Sequence, residues 1–160
     1  MPIAPWIHPP EPAPSAASIG VQLAEPSRPV VCVLGEGSAQ YAITAFWSAV
    51  AYDVPVTFLV LRNEEYAILK WFAEVERITN APGLDLPKLD VAAVAEGYGV
   101  TAHRASDRDG VAGALATALA SSKPELVEVP AEHLAEPVVH LLLGPDVDAP
   151  RRVEAQHRSD

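Results

Sequence analysis

Val30-Val31-Cys32-Val33-Leu34-Gly35-Glu36-Gly37-Ser38 and Val56-Thr57-Phe58-Leu59-Val60-Leu61-Arg62-Asn63-Glu64-Glu65-Tyr66 carry the architecture. Each begins as a short apolar run rich in β-branched residues and ends in a polar cluster. Between them, residues 39–52 have helical spacing. Ala42, Phe46, Ala49 and Val50 form an inward stripe that Ile43, Trp47 and Ala51 widen. Two such runs separated by a helix-length segment read as a βαβ unit with parallel strands. The expected class is α/β, a mostly parallel sheet between helices. Ligands of such sheets bind at the carboxyl ends of the strands, the edge where both polar clusters fall.

The first cluster has the chemistry of a phosphate site with an acid inside it. Two glycines let backbone N–H groups approach a ligand closely, and a helix starting near Ser38 would aim its positive end the same way. Glu36 would repel a phosphate unless a cation lay between them. Mg²⁺ suits that arrangement, because it takes oxygen ligands and commonly bridges carboxylates to substrate phosphates. Asn63, at the end of the neighbouring run, supplies a second oxygen. The competing reading is a tight turn with an exposed acid. A dinucleotide fingerprint fits poorly, since Gln40 stands where its third small residue belongs.

Working outward, residues 1–14 are punctuated by prolines at 2, 5, 9, 10, 12 and 14 and read as an extended arm, with Trp6 exposed on it. Residues 15–24 have helical spacing through Ala16, Ile19 and Leu23, with Ser15 as N-cap and Glu25-Pro26 as the stop. A second helix is expected over 66–77, with Ile68, Leu69, Phe72 and Val75 on its apolar side. Residues 81–87 are a loop by their Pro and Gly content. Asp90 caps a short helix over 91–96, residues 100–103 form a third strand, Asp107 caps a helix over 108–121, and residues 125–129 form a fourth strand. Glu128 alternates with apolar neighbours and is expected to face solvent near an edge, while Tyr41 and Trp47 are expected in the core or an interface. Residues 131–160 read as a poorly ordered tail, and His133 and His140, separated by Pro137, do not make a metal site.

At 160 residues the chain is expected to form one domain over 15–130. With 21 acidic against 11 basic residues its net charge is −10, which disfavours nucleic acid and anionic membranes. It also disfavours a basic patch as the phosphate holder. The single cysteine, Cys32, excludes an internal disulfide and reads as core. No apolar run is long enough to span a membrane and the amino terminus lacks a secretory pattern, so a cytoplasmic protein is expected.

Gly35-Glu36-Gly37-Ser38 followed by Arg62-Asn63 closely resembles the GDGS…NN motif of thiamine-diphosphate (ThDP) enzymes. Ile19-Gly20-Val21-Gln22-Leu23-Ala24-Glu25-Pro26, Leu69-Lys70-Trp71-Phe72, Pro82-Gly83-Leu84-Asp85-Leu86-Pro87 and Ala95-Glu96-Gly97-Tyr98-Gly99-Val100 extend the likeness. Over residues 15–129 the chain resembles the carboxy-terminal, diphosphate-binding domain of ThDP-dependent decarboxylases of the benzoylformate decarboxylase type. The resemblance implies a three-layer ThDP-binding fold with ThDP and Mg²⁺ as cofactors. It implies that Glu36, Asn63 and the carbonyl of Glu65 hold the metal, that Gly35, Gly37, Ser38 and Tyr66 contact the cofactor, and that Leu69 and Phe72 line the substrate pocket. Glu36 replaces the usual Asp, and Arg62 replaces the first Asn with a cation placed to reach the diphosphate. The activating glutamate of such enzymes lies on a pyrimidine-binding domain, so the resemblance assigns no catalytic residue to this chain. It implies a carbon–carbon lyase acting on a 2-oxo acid, active only with that second domain, as a homodimer or hetero-oligomer. A truncated, non-catalytic remnant and an acetolactate-synthase-like, carboligating fragment are the alternatives.

Overall fold

The structure, a computed structural model, describes residues 14–131. Apart from Pro14, which is helical, and Ala131, the expected proline arm and tail lie outside the described residues, as do the two tail histidines. Among the described residues six α-helices and four strands follow one another: α1 (Pro14–Ala24), β1 (Val30–Gly35), α2 (Glu36–Ala39), α3 (Ala45–Ala51), β2 (Val56–Arg62), α4 (Ala67–Val75), α5 (Val91–Gly97), β3 (Thr101–Arg104), α6 (Arg108–Ala120) and β4 (Glu125–Pro130). The strands form one sheet in the order β1-β2-β4-β3, every pairing parallel. The α/β expectation holds, and it holds because each apolar run is too short for a buried helix and is bounded by turn residues.

Register places Cys32, Phe58 and Leu126 side by side, followed by Leu34, Val60 and Glu128. On this face Phe46 of α3 meets Phe58 edge-on at 4.9 Å, and Val91, Ala92 and Ala95 of α5 complete the core. Burying a side chain of this size is worth about 1.5–3 kcal/mol. Cys32 lies in the same core, where burial pushes its thiol upward and the Ser18 hydroxyl only partly offsets that. Thr57 and Val127, which alternate with these residues, are buried as well, so the central strands are covered on both faces. On the edge strand β1, the side chains of Val31 and Val33 stay exposed.

Four expectations are corrected here. The helix over 39–52 is not continuous: α2 starts directly after β1 and runs through a single 3₁₀ turn, Gln40–Ala42, before α3. At the break, the Phe46 N–H donates to Ile43 rather than to Ala42, and the freed Ala42 carbonyl accepts the Ser15 hydroxyl at 3.2 Å. Ser15 therefore serves a neighbouring helix end and does not cap its own helix. The fully buried residues of α1 are the polar Ser15, Ser18 and Gln22; of the expected apolar stripe Ile19 packs against the core, while Ala16 and Leu23 point outward. Gln22 works as a main-chain surrogate, accepting from Val30 N–H and donating to the Arg28 carbonyl, both at 3.1 Å.

Glu128 is the third correction. It is 5% exposed, because β4 lies between β2 and β3 and is not at the edge. The last concerns Tyr41 and Trp47, which are 68% and 52% exposed: the core half of that expectation is overturned, and the interface half is untouched by it. Helix periodicity shows which positions share a stripe; it does not reveal which stripe the sheet covers.

Candidate functional site

The carboxyl ends of β1 and β2 lie side by side, Gly35 in register with Leu61. Glu36, the first residue of α2, is 1% exposed. Its Oε1 accepts the backbone N–H groups of Asn63 at 3.0 Å and Glu64 at 2.5 Å. The exposed-acid reading is thereby excluded: the acid is buried, and it ties the two strand ends together. A buried carboxylate is tolerated only where hydrogen bonds or charges satisfy it. Here the loop after β2 provides those donors.

That loop is locally shaped. Asn63 Oδ1 accepts the Glu65 N–H at 3.3 Å, and Glu64 holds a left-handed backbone with φ 61°. Glu65 pairs with Asp85 in an antiparallel bridge, where Tyr66 N–H donates to Leu84 and Leu86 N–H to Glu64. In such a pairing the Glu65 N–H and C=O point away from the ladder, which leaves its carbonyl outside it. The Glu65 and Asp85 side chains converge on Lys70, at 2.5 and 2.6 Å. Asp85 first and Glu65 second hold the Lys70 ammonium above its usual range.

Gly37 explains itself sterically. A Cβ there would lie 2.5 Å from Cε1 of Tyr66 and 3.2 Å from Cδ1 of Leu86. The Tyr66 ring closes on the glycine, and its hydroxyl accepts from Gln40 Nε2 at 3.3 Å. Gly35, by contrast, is extended, with φ −79° and ψ 157°, and a Cβ there would meet only ordinary contacts. Since α2 has four residues, the expected helix dipole contributes little beside the loop N–H groups. Ser38 is exposed at the same edge. Leu69 and Phe72 lie on α4, both exposed, and no residue of α4 is buried. Arg62 turns toward Glu64 and Glu128.

The structure thus brings Glu36, Asn63, Glu65, Gly37 and Tyr66 together, with Leu69 and Phe72 on the adjoining helix. Sequence reasoning missed the roles of Glu64, Gln40, Lys70 and Asp85. Their partners lie on other segments, and no spacing in the chain announces them. Among the described residues, no three His, Cys, Asp or Glu side chains gather at a metal-holding spacing. The candidate set is different: one carboxylate, one amide and one main-chain carbonyl. All three are hard oxygen donors, and the chemistry of this set fits Mg²⁺, which uses few carboxylates and fills its remaining positions with phosphate or water.

The family described as "Thiamine pyrophosphate enzyme, C-terminal TPP binding domain" matches residues 13–129. The chain belongs to that family. Benzoylformate decarboxylase of Pseudomonas aeruginosa is 51% identical over 116 residues, covering 72% of this chain and 22% of that protein. The acetolactate synthase large subunit of Parasynechococcus marenigrum is 31% identical over 117 residues, covering 71% and 19%. The 4-hydroxybenzoylformate decarboxylase structure from Rhodococcus jostii, a ThDP-dependent enzyme, superposes with a TM-score of 0.71 at 40% identity, covering 72% of this chain and 22% of that one. The chain spans about a fifth of the length of the curated relatives it matches. The family places ThDP binding in this domain and relates it to decarboxylases and synthases of 2-oxo acids. Among the described residues, no helix is long and apolar enough to cross a membrane.

Proposed function

We propose that this domain binds ThDP through Mg²⁺ for a benzoylformate-like 2-oxo-acid decarboxylase, working with a pyrimidine-binding domain supplied by another chain or by further sequence. The observation that carries the reading is Glu36, a buried carboxylate fastened to the Asn63 and Glu64 N–H groups where two parallel strands end. Glu36, Asn63 and the Glu65 carbonyl hold the metal. Gly35, Gly37 and Ser38 line the diphosphate, and Tyr66 packs over Gly37 beside it. Bound ThDP supplies the electron sink that decarboxylation of a 2-oxo acid requires. The chain's own part is to bind and orient the diphosphate end. Leu69 and Phe72 offer an apolar wall suited to an aromatic side chain, and the 51% identity to a benzoylformate decarboxylase supports that substrate class. Likeness to acetolactate synthase favours carboligation on the same cofactor as the second reading, and product analysis with pyruvate against benzoylformate separates the two.

Calorimetry tests the metal assignment. ThDP binding requires Mg²⁺, and Glu36→Ala or Asn63→Ala largely abolishes it. Equal ThDP affinity with and without Mg²⁺ would refute the site. The purified chain alone, given ThDP and Mg²⁺, does not decarboxylate benzoylformate above a cofactor-only control. Turnover by the isolated chain would overturn the need for a second domain.

A further inference from the structure

Arg62 ends β2 with its guanidinium between two carboxylates. Nη1 lies 2.5 Å from Glu64 Oε1, and Nε lies 3.4 Å from Glu128 Oε1. Glu128 is buried on a central strand; Arg104 stands opposite it in register on β3 and feels its charge, and among the described residues Arg62 is the cation within ion-pair distance of it. Neither Arg62 Nε nor Glu128 Oε2 has a hydrogen-bond partner there, so charge rather than hydrogen-bond geometry joins them. A buried carboxylate left without its cation is strongly unfavourable, and this anchors the guanidinium. The Arg62 main chain is anchored too, its carbonyl accepting the Ala131 N–H at 2.7 Å.

The other end of the guanidinium holds Glu64, which lies in the left-handed region at φ 61°. Residues other than glycine keep such a conformation where the surroundings over-determine it. The Glu64 N–H, presented by that conformation, is one of the two that fasten Glu36. We propose that Arg62 is a positioning residue: Glu128 anchors it, it holds Glu64, and Glu64 thereby keeps the 63–65 loop in the shape that fixes the Glu36 carboxylate. The consequence for metal affinity rests on the function proposed above; the loop geometry itself does not.

Amide hydrogen exchange on the full chain tests it, read at the Asn63 and Glu64 N–H groups with the Phe58 and Val60 amides of β2 as internal controls. Arg62→Lys keeps a charge for Glu128 but cannot span both carboxylates, and Glu64→Ala alters only an exposed side chain. Each is expected to speed exchange at the two loop amides by about two- to five-fold, the range an exposed ion pair supports, while the β2 amides stay protected. Glu64→Asn in the Arg62→Lys background recovers protection, because Asn tolerates the left-handed region better. Wild-type exchange at both loop amides in Arg62→Lys and Glu64→Ala would overturn the proposal. The readout needs no metal, so its failure and a failure of the metal assignment are told apart.

Discussion

Replacing Gly37 by alanine sets two effects of known size against each other. Gly37 is the second residue of the four-residue α2, so alanine gains at most about 1 kcal/mol of helix preference over glycine. The new Cβ, however, would lie 2.5 Å from the Tyr66 ring, where apolar carbons rest at roughly 3.5–4 Å. The ring or the helix must therefore move by about 1 Å. Overpacking of this kind costs about 1–3 kcal/mol. Swinging Tyr66 outward also forfeits its bond from Gln40 and its contact over the glycine. The net expectation is a loss of up to about 2 kcal/mol, or a fall in Tm of about 4 °C per kcal/mol for a domain of this size. A double-mutant cycle isolates the cause. Thermal melts of Gly37→Ala, Tyr66→Ala and the double variant should show that removing the ring relieves most of the Gly37→Ala penalty. Additive losses, or a Gly37→Ala variant as stable as wild type, would refute the steric account.

Two further outcomes follow from the same structure. Asp90 accepts the Ala93 N–H at 2.8 Å and faces Arg104, and these contacts, the amide first, hold its carboxyl below the usual range. A depressed folded pKa adds stability above the unfolded value that is lost as pH falls through the folded one. Asp90→Ala should therefore cost about 1 kcal/mol at pH 7 in urea melts, with the gap to wild type closing below about pH 4. The exposed apolar row Ile68, Leu69, Phe72 and Val75 should drive association, since surface charge is screened beyond about 8 Å at ~0.15 M salt. Phe72→Glu should shift the protein toward monomer in light scattering, whereas a wild-type monomer that binds no apolar dye would refute this.

The parallel sheet, its four strands and the caps at Asp90 and Asp107 were all legible in the chain, as was the placing of Glu36 and Asn63 at the ends of neighbouring strands. Each is encoded locally. Strands show as β-branched runs, and caps as an acid before an apolar stripe, borne out by Asp90 accepting from Ala93 and Asp107 from Gly110. The binding edge follows once the strands are parallel. Tertiary structure alone decided which face of each element is covered. Glu128 is buried because β4 inserts between β2 and β3, an order absent from the sequence of elements. The α2–α3 break is satisfied by Ser15, 27 residues before its partner Ala42. Gly37 is constrained by Tyr66 and Leu86, and Glu36 by the Asn63 and Glu64 amides, all brought from distant segments. Local propensity acts over a turn of chain, whereas burial and hydrogen-bond satisfaction depend on neighbours in space, and these exist only once the sheet has assembled.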